Sequence, residues 1–170
     1  MIHIRTETPD DYEGIDEVNR QAFEQDFEGQ LIRKIREGQN FIEELSLVAL
    51  DEATIVGHIL FSKIKIEGER EYETLALAPM AVKPEYQKKG IGKKLVRAGL
   101  KKAKDLGFGS VIVLGHSDYY PQFGFQEASQ WNIKCPFDVP DESFMAIQLI
   151  PGDLEDKSGT AVYPKEFDAE

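Results

Sequence analysis

The sequence predicts an α/β fold of the α+β kind, with a mixed and mostly antiparallel sheet, a bulged central strand and a βαβ unit. Three observations predict it. Residues 45–82 form three successive strand-like segments joined by short turns, which is the pattern of an antiparallel meander. A proline interrupts the last of these segments. Residues 83–114 then hold a glycine-containing turn, an amphipathic helix and a short apolar strand, and such a crossover joins two parallel strands.

Two helices are predicted between an N-terminal strand and the meander. Residues 8–11 combine a hydroxyl residue, a proline and two acids, which is typical of a helix start. Apolar residues then recur at helical spacing as far as Phe23. A second helix is predicted from about residue 26 to residue 37, with Gly38 ending it.

The meander strands are predicted at residues 45–50, 54–66 and 72–82. Pro79 is the exception in the third strand, because proline cannot donate to a ladder and belongs at an edge or a bulge. A bulge bends a strand and leaves backbone groups unpaired, often beside an active site. We therefore predict a bulge near Pro79.

The βαβ helix is predicted from about Gly90 to Leu106, with Gly107 closing it. Its apolar residues share one side of the helix, and its lysines and arginine share the solvent side. The continuous apolar run at residues 111–114 predicts a buried strand parallel to the third meander strand.

A closing strand is predicted at residues 144–150, and residues 160–163 predict a short edge strand. The last twenty residues are acidic and rich in turn-forming residues. We expect one domain over residues 1–170, with a core of about 1–150 and an acidic C-terminal extension at 151–170.

The net charge of −11 is unevenly distributed. Residues 83–104 contain nine basic residues and one acidic residue, whereas the rest of the chain has 11 basic and 30 acidic residues. The acidic majority argues against a nucleic-acid partner, which needs a broad basic face. It favours a cationic substrate instead. The basic run surrounds a glycine-rich turn, which favours an anion site there.

The composition also limits the other partners. No apolar run approaches the roughly 18–20 residues of a membrane helix, so we expect no membrane partner. Cys135 is the only cysteine, which excludes an intramolecular disulfide and a cysteine-rich zinc site, and we expect no metal. We expect no signal peptide, and a location in the reducing cytoplasm.

The glycine turn follows a strand and opens a helix, over residues 82–93 (VKPEYQKKGIGK). Free N–H groups at a helix N-terminus attract anions, and glycines let the main chain approach a phosphate closely. A nucleotide P-loop is excluded because Gln87 stands where its first glycine is required. A dinucleotide fingerprint is excluded because Leu95 stands in place of its third glycine. The remaining pattern is Q-x-x-G-x-G.

Residues 82–92 resemble the acyl-CoA-binding motif [RQ]-x-x-G-x-[GA] of the GNAT superfamily of N-acetyltransferases. Residues 115–125 (GHSDYYPQFGF) resemble the family's Y-x-x-[FL]-G-F segment, and their form is most similar to the YhbS-like bacterial branch. The resemblance implies the GNAT fold and an acetyl-CoA-dependent enzyme that acetylates a primary amine by direct attack in a ternary complex. Two alternatives stay open: a non-catalytic acyl-CoA-binding or sensing module, and a protein-interaction domain with an empty anion turn.

The resemblance also implies where acetyl-CoA lies. The pantetheine arm pairs with the main chain of Met80, Ala81 and Val82, and a backbone N–H there polarises the thioester carbonyl. The pyrophosphate rests on the glycine turn, at Gln87, Lys88, Lys89, Gly90, Ile91, Gly92 and Lys93. Ser117 replaces the asparagine with which many family members contact the pantetheine arm.

For catalysis, the resemblance implies a tyrosine as the general acid beside the sulfur. Tyr120 has the family's motif position and is the candidate, with Tyr119 as its rival. The proton of the amine requires a base, for which Glu73 and His116 are the candidates, with Asp118 near them. His3 and His58 lie in predicted strands, and we expect them to be ordinary sheet residues. Cys135 has no recognisable base near it in the sequence, so we expect no covalent acyl-cysteine mechanism.

The acceptor pocket is expected between residues 8–37, residues 126–143 and the C-terminal tail. The acidic composition favours a cationic amine as the acceptor. Monomer and homodimer, the latter through the closing strands, both stay open.

Overall fold

The computed structural model describes residues 1–168, and nine strands within them form one sheet. The strand order is β1-β2-β3-β4-β5-β8-β6, and β9 pairs with both β3 and β7. The strands are β1 (Ile2–Thr6), β2 (Phe41–Asp51), β3 (Thr54–Glu67), β4 (Glu71–Val82), β5 (Ser110–Leu114), β6 (Gln126–Glu127), β7 (Ile133–Lys134), β8 (Phe144–Gln148) and β9 (Gly159–Val162). The helices are α1 (Tyr12–Phe23), α2 (Phe27–Glu37) and α3 (Ile91–Asp105), and short 3₁₀ turns lie between elements. This confirms the predicted mixed and mostly antiparallel sheet.

The two faces of the sheet have separate cores, because alternate strand residues point to opposite faces. On one face, α3 packs through Leu95, Val96 and Ala103 on β2 and β3. On the other face, α1 and α2 bury Ile15 and Ile32 on the same strands. None of the described helices is both long enough and apolar enough to cross a bilayer.

The predicted bulge near Pro79 is confirmed. Met80 pairs with Ile59 and Leu77 pairs with Phe61, so β4 carries one more residue than β3 between these pairs. The extra residue bends β4 at the point where it leaves its parallel neighbour. Pairing between β4 and β5 is confined to Leu75–Val111 and Ala76–Ile112, and the two strands separate beyond it. A V-shaped gap therefore opens between the ends of β4 and β5.

The C-terminal segment belongs to the packed fold, which differs from the expectation of an extension outside the core. Leu154 and Ala161 are fully buried, and β9 pairs with the end of β3. The predicted edge strand at 160–163 is β9, one residue earlier. The segment is acidic on its exposed side and apolar on its inner side. Its net charge therefore did not indicate that its apolar residues are buried in the fold. Residues 169–170 of the predicted tail lie outside the described residues.

His58 is not the ordinary sheet residue that the sequence predicted. It is fully buried, and its Nε2 lies 2.8 Å from Ser46 Oγ, which donates to Glu7 at 2.5 Å. Arg36 adds two hydrogen bonds of 2.9 and 3.0 Å to the Glu7 carboxylate. This buried polar cluster ties α2 to the loop after β1 and to strands β2 and β3.

The pKa values of the buried polar cluster follow from its contacts. Burial opposes ionisation of Glu7, but the His58 ring at 3.7 Å and the hydrogen bonds from Arg36 and Ser46 outweigh it and lower its pKa to about 2. Burial lowers the pKa of His58 and outweighs the attraction of Glu7, so the imidazole is neutral. At neutral pH the cluster therefore holds one Glu–Arg ion pair beside an uncharged histidine.

Candidate active site

Two clefts meet where β4 separates from β5. The smaller, of about 300 Å³, lies at the start of α3 and is called the basic cleft; it is lined by residues 80–82, 86–88 and 90–93 together with Ala22, Phe23 and Tyr119. The larger, of about 700 Å³, lies beside the bulge and is called the aromatic cleft. Phe23, Met80 and Tyr119 line both clefts. A molecule in one cleft can therefore reach a molecule in the other at these three residues.

The aromatic cleft is built from six parts of the chain. Residues 76–80 supply the bulged end of β4, and residues 112 and 114–116 supply the end of β5. The remaining lining residues come from α1, α2, the loop after β5 and the C-terminal third, namely Phe23, Phe27, Glu28, Leu31, Tyr119, Tyr120, Phe137, Tyr163 and Phe167.

The floor of the basic cleft is the first turn of α3. The first intrahelical hydrogen bond runs from the Lys94 N–H to the Gly90 carbonyl at 3.1 Å, so the N–H groups of residues 91–93 have no acceptor inside the helix. Gly90 has a left-handed backbone (φ +85°), which turns the chain abruptly into the helix. Lys88 and Lys93 line the cleft beside these groups. The arrangement can hold an anion through N–H groups, helix dipole and lysine charge.

Gln87 lines the basic cleft, but its side-chain amide and its N–H are engaged within the turn. Its side-chain amide donates to the Val82 carbonyl at 3.0 Å, and its own N–H donates to the Pro84 carbonyl at 3.3 Å. Gln87 thus braces the turn internally instead of offering these donors to an anion. Lys89 is exposed, lies over the Tyr86 ring at 5.6 Å and lines neither cleft.

The two candidate tyrosines occupy different positions. Tyr119 is half-buried and lines both clefts, and its hydroxyl lies 3.0 Å from where a Cβ on Gly92 would stand. Tyr120 lines the aromatic cleft but not the basic cleft. It is buried in the core, with its ring centroid 5.7 Å from that of Phe125. Tyr119 therefore presents its hydroxyl at the first turn of α3, and Tyr120 is the more enclosed of the two.

Both tyrosine hydroxyls remain protonated near neutral pH. Burial raises the pKa of Tyr120 to about 12, with a further contribution from Tyr119. Burial also raises the pKa of Tyr119, although the nearby charge of Arg97 works in the opposite direction. Each group can therefore donate a proton, which is what a general acid requires.

Residues 10–125 match the Acetyltransferase (GNAT) family. The chain belongs to this family. The predicted family membership is thereby confirmed, on a match that covers more than half of the chain.

Two GNAT relatives in Escherichia coli strain K12 are similar over most of their length. The uncharacterized N-acetyltransferase YhbS is 33% identical over 165 residues, covering 96% of this chain and 97% of YhbS. The uncharacterized N-acetyltransferase YjhQ is 38% identical over 134 residues, covering 78% of this chain and 74% of YjhQ. The resemblance to the YhbS-like branch is therefore confirmed.

Two solved GNAT structures are also similar. The crystal structure of Escherichia coli YhbS in complex with CoA has a TM-score of 0.90 and 30% identity, covering 98% of this chain and 91% of that one. A GNAT family acetyltransferase from Brucella melitensis in complex with acetyl-CoA has a TM-score of 0.81 and 30% identity, covering 99% of both chains. The predicted GNAT fold is confirmed.

The structure brings some of the other predicted GNAT site residues to the clefts and leaves others outside. His116 is exposed and lines the aromatic cleft. Glu73 is exposed and pairs with Lys65, six residues before Pro79 and so about 20 Å along the strand from the bulge. Ser117 is exposed and lines neither cleft. Glu73 and Ser117 therefore lack the positions that the sequence predicted for them.

Sequence reasoning missed the side chains that shape the aromatic cleft. Glu28 lies in the first turn of α2, and Phe137, Tyr163 and Phe167 come from the C-terminal third of the chain. The helices, residues 126–143 and the tail were each predicted to contribute, without particular residues. The signal for Tyr163 and Phe167 was two aromatic residues within an otherwise acidic tail.

Proposed function

We propose that this GNAT protein is an acetyl-CoA-dependent N-acetyltransferase that acetylates a primary amine by direct attack within a ternary complex. One observation carries the proposal. The basic cleft and the aromatic cleft share Phe23, Met80 and Tyr119, at the end of the gap between β4 and β5. A donor held in the first cleft and an acceptor held in the second meet at one point, which is the geometry that direct transfer requires.

Acetyl-CoA occupies the basic cleft in this proposal. Its pyrophosphate accepts from the N–H groups of residues 91–93, and Lys88 and Lys93 balance its charge. Its pantetheine arm lies along the main chain of residues 80–82, which pairs with β3 on one side and faces the gap on the other. The CoA and acetyl-CoA complexes of the two similar structures support this placement.

The reaction is aminolysis of a thioester. The neutral amine nitrogen attacks the acetyl carbonyl carbon, a C–N bond forms, and a backbone N–H near Met80 stabilises the developing oxyanion. The C–S bond then breaks and the departing sulfur takes a proton from a tyrosine. The nitrogen loses its proton to a base, and His116 and Glu28 are the cleft residues other than tyrosine that can accept it.

Two tyrosine hydroxyls can protonate the sulfur, and they are favoured by different evidence. Motif position favours Tyr120, and the shared lining of both clefts favours Tyr119. Replacing the general acid with phenylalanine should lower kcat by about 10² or more and leave the Kd for CoA within about twofold. Steady-state kinetics of Tyr119→Phe and Tyr120→Phe, with calorimetric titration of CoA, identifies which hydroxyl acts.

The test of the proposed function begins with binding. Thermal unfolding is recorded with acetyl-CoA and with CoA, and a ligand at about a hundred times its Kd adds about 2.7 kcal/mol of stability. Release of the CoA thiol is then measured with a panel of amines. Binding without transfer to any amine would replace the enzyme with an acyl-CoA-binding module, and absence of binding would reject both.

A further inference from the structure

The lining of the aromatic cleft suits a flat apolar group better than a polar one. Seven of the residues that line it are phenylalanine or tyrosine, and most of the others are aliphatic. Among the described lining residues, Glu28 and His116 are the ionisable side chains apart from the tyrosines. A sugar or a polyamine would lose hydration here and find few partners for its polar groups.

Three aromatic side chains form a row along the C-terminal wall of the cleft. The ring of Tyr163 lies 5.3 Å from that of Phe137 and 5.2 Å from that of Phe167, centroid to centroid. Burial raises the pKa of Tyr163, so its phenol is neutral. The row therefore offers uncharged aromatic faces and edges to a ligand ring.

The open side of the cleft exposes large apolar surface. Phe137 is 49% exposed and Phe23, at the end of α1, is 37% exposed, and both line the cleft. Exposed aromatic residues that border a concave site of several hundred Å³ mark a ligand groove. The acetyl group itself is far too small to fill a space of about 700 Å³.

One carboxylate lies within this apolar lining. Glu28 is half-buried, and both of its oxygens accept from the neutral side-chain amide of Gln25 at 3.1 Å. A single carboxylate in an apolar cleft attracts a single ammonium group, whereas a polyamine needs several. The overall acidity of the chain is therefore a poor guide to the acceptor, because most acidic residues lie outside the cleft lining.

We propose that the acceptor is an arylalkylamine, which is a primary amine on a short alkyl arm attached to an aromatic ring. The ring packs against Phe137, Tyr163 and Phe167, and the amine points to Met80 and Tyr119, where the donor thioester lies. This inference rests on the proposed acetyltransferase function. The amine nitrogen gains the acetyl group and loses one proton, the C–S bond breaks, and CoA leaves as the thiol.

The first test compares probe amines by kcat/KM, measured through release of the CoA thiol. We expect 2-phenylethylamine to exceed propylamine by about ten- to a hundredfold, the factor that corresponds to burying a phenyl ring. We expect spermidine and a lysine-containing peptide to fall below 2-phenylethylamine. Equal rates for propylamine and 2-phenylethylamine, or a preference for spermidine or the peptide, would overturn the proposal.

The second test uses a matched pair of variants. Phe137→Ala removes one ring of the row, and Ile150→Ala removes an apolar side chain of similar exposure (43%) that lines neither cleft. We expect Phe137→Ala to raise the KM for 2-phenylethylamine about tenfold while the KM for acetyl-CoA stays unchanged. Ile150→Ala should alter neither. An unchanged KM for 2-phenylethylamine in Phe137→Ala would overturn the assignment.

A binding measurement separates failure of this inference from failure of the proposed function. 2-Phenylethylamine is titrated by calorimetry into the CoA-saturated protein. Binding that Phe137→Ala weakens supports the aromatic subsite even where no amine is acetylated, in which case only the enzyme proposal fails. Absence of binding, together with acetylation of other amines, would overturn the arylalkylamine acceptor and leave the enzyme proposal intact.

Discussion

Helix α3 is bounded by two glycines that form a matched pair for testing the anion site. Gly90 before the helix and Gly107 after it have left-handed backbones, with φ of +85° and +95°. A Cβ added at either position meets nothing within 4 Å. The Cβ of a valine at either site therefore causes no overlap, and we expect the cost to lie in the backbone conformation.

The stability cost should be the same for both variants. A residue with a Cβ pays about 1–2 kcal/mol for the left-handed conformation, and a β-branched residue is at the upper end. We expect about 2 kcal/mol for Gly90→Val and for Gly107→Val. For a chain of 170 residues this lowers Tm by about 4–8 °C.

The effect on CoA binding should differ between the two variants. Relaxation of the backbone at Gly90 rotates the N–H groups of residues 91–93, which form the floor of the basic cleft. Loss of one hydrogen bond to a charged group costs about 1.5–3 kcal/mol, so the Kd for CoA should rise by about 10- to 150-fold. Gly107 lies about 22 Å away along α3, and its variant should bind CoA as the wild type does.

The assay combines thermal unfolding with calorimetric titration of CoA, at a temperature where both variants are fully folded. Equal loss of CoA binding in the two variants would mean that binding follows stability. Wild-type affinity in a destabilised Gly90→Val would mean that the left-handed turn does not shape the anion site. Either result would refute the reasoning.

Three further predictions concern stability. Glu7→Gln should lower the free energy of unfolding by about 3–5 kcal/mol, measured by urea denaturation, because it leaves the buried Arg36 charge without its partner. Folding lowers the pKa values of His58 and Glu7, so the free energy of unfolding should fall with decreasing pH: first below about 6.5, where His58 of the unfolded chain protonates, and again below about 4.5, where Glu7 does. His58→Gln should remove the first step and keep the second. A flat stability profile between pH 7 and 5 in the wild type would contradict this. Leu154→Ala should cost about 2–5 kcal/mol by the same denaturation assay, because Leu154 is fully buried, and a neutral effect would place the C-terminal segment outside the cooperative fold.

The sequence determined most of the helices and strands and the glycine turn, because each depends on residues that are close together in the chain. Helical and alternating apolar patterns located α1, α2, α3 and the meander, because each pattern reports the face that a segment must bury. Pro79 located the bulge, because a missing N–H interrupts a ladder wherever it occurs. The Q-x-x-G-x-G turn identified the family because its function depends on backbone N–H groups, whose placement is set by nearby residues.

Only the tertiary structure decided which side chains share a cleft. Glu73 and His116 were equal candidates in sequence, but the distance along β4 takes Glu73 about 20 Å from the bulge while His116 stays at the cleft. Tyr119 and Tyr120 are adjacent in sequence, and packing alone places Tyr119 at both clefts and encloses Tyr120 in the core. Contacts between residues far apart in the chain follow from the register of strands and the seating of helices, which no local pattern records. The same reason explains why the sequence did not reveal the His58 cluster, and why it did not place Phe137 beside the two aromatic residues of the tail.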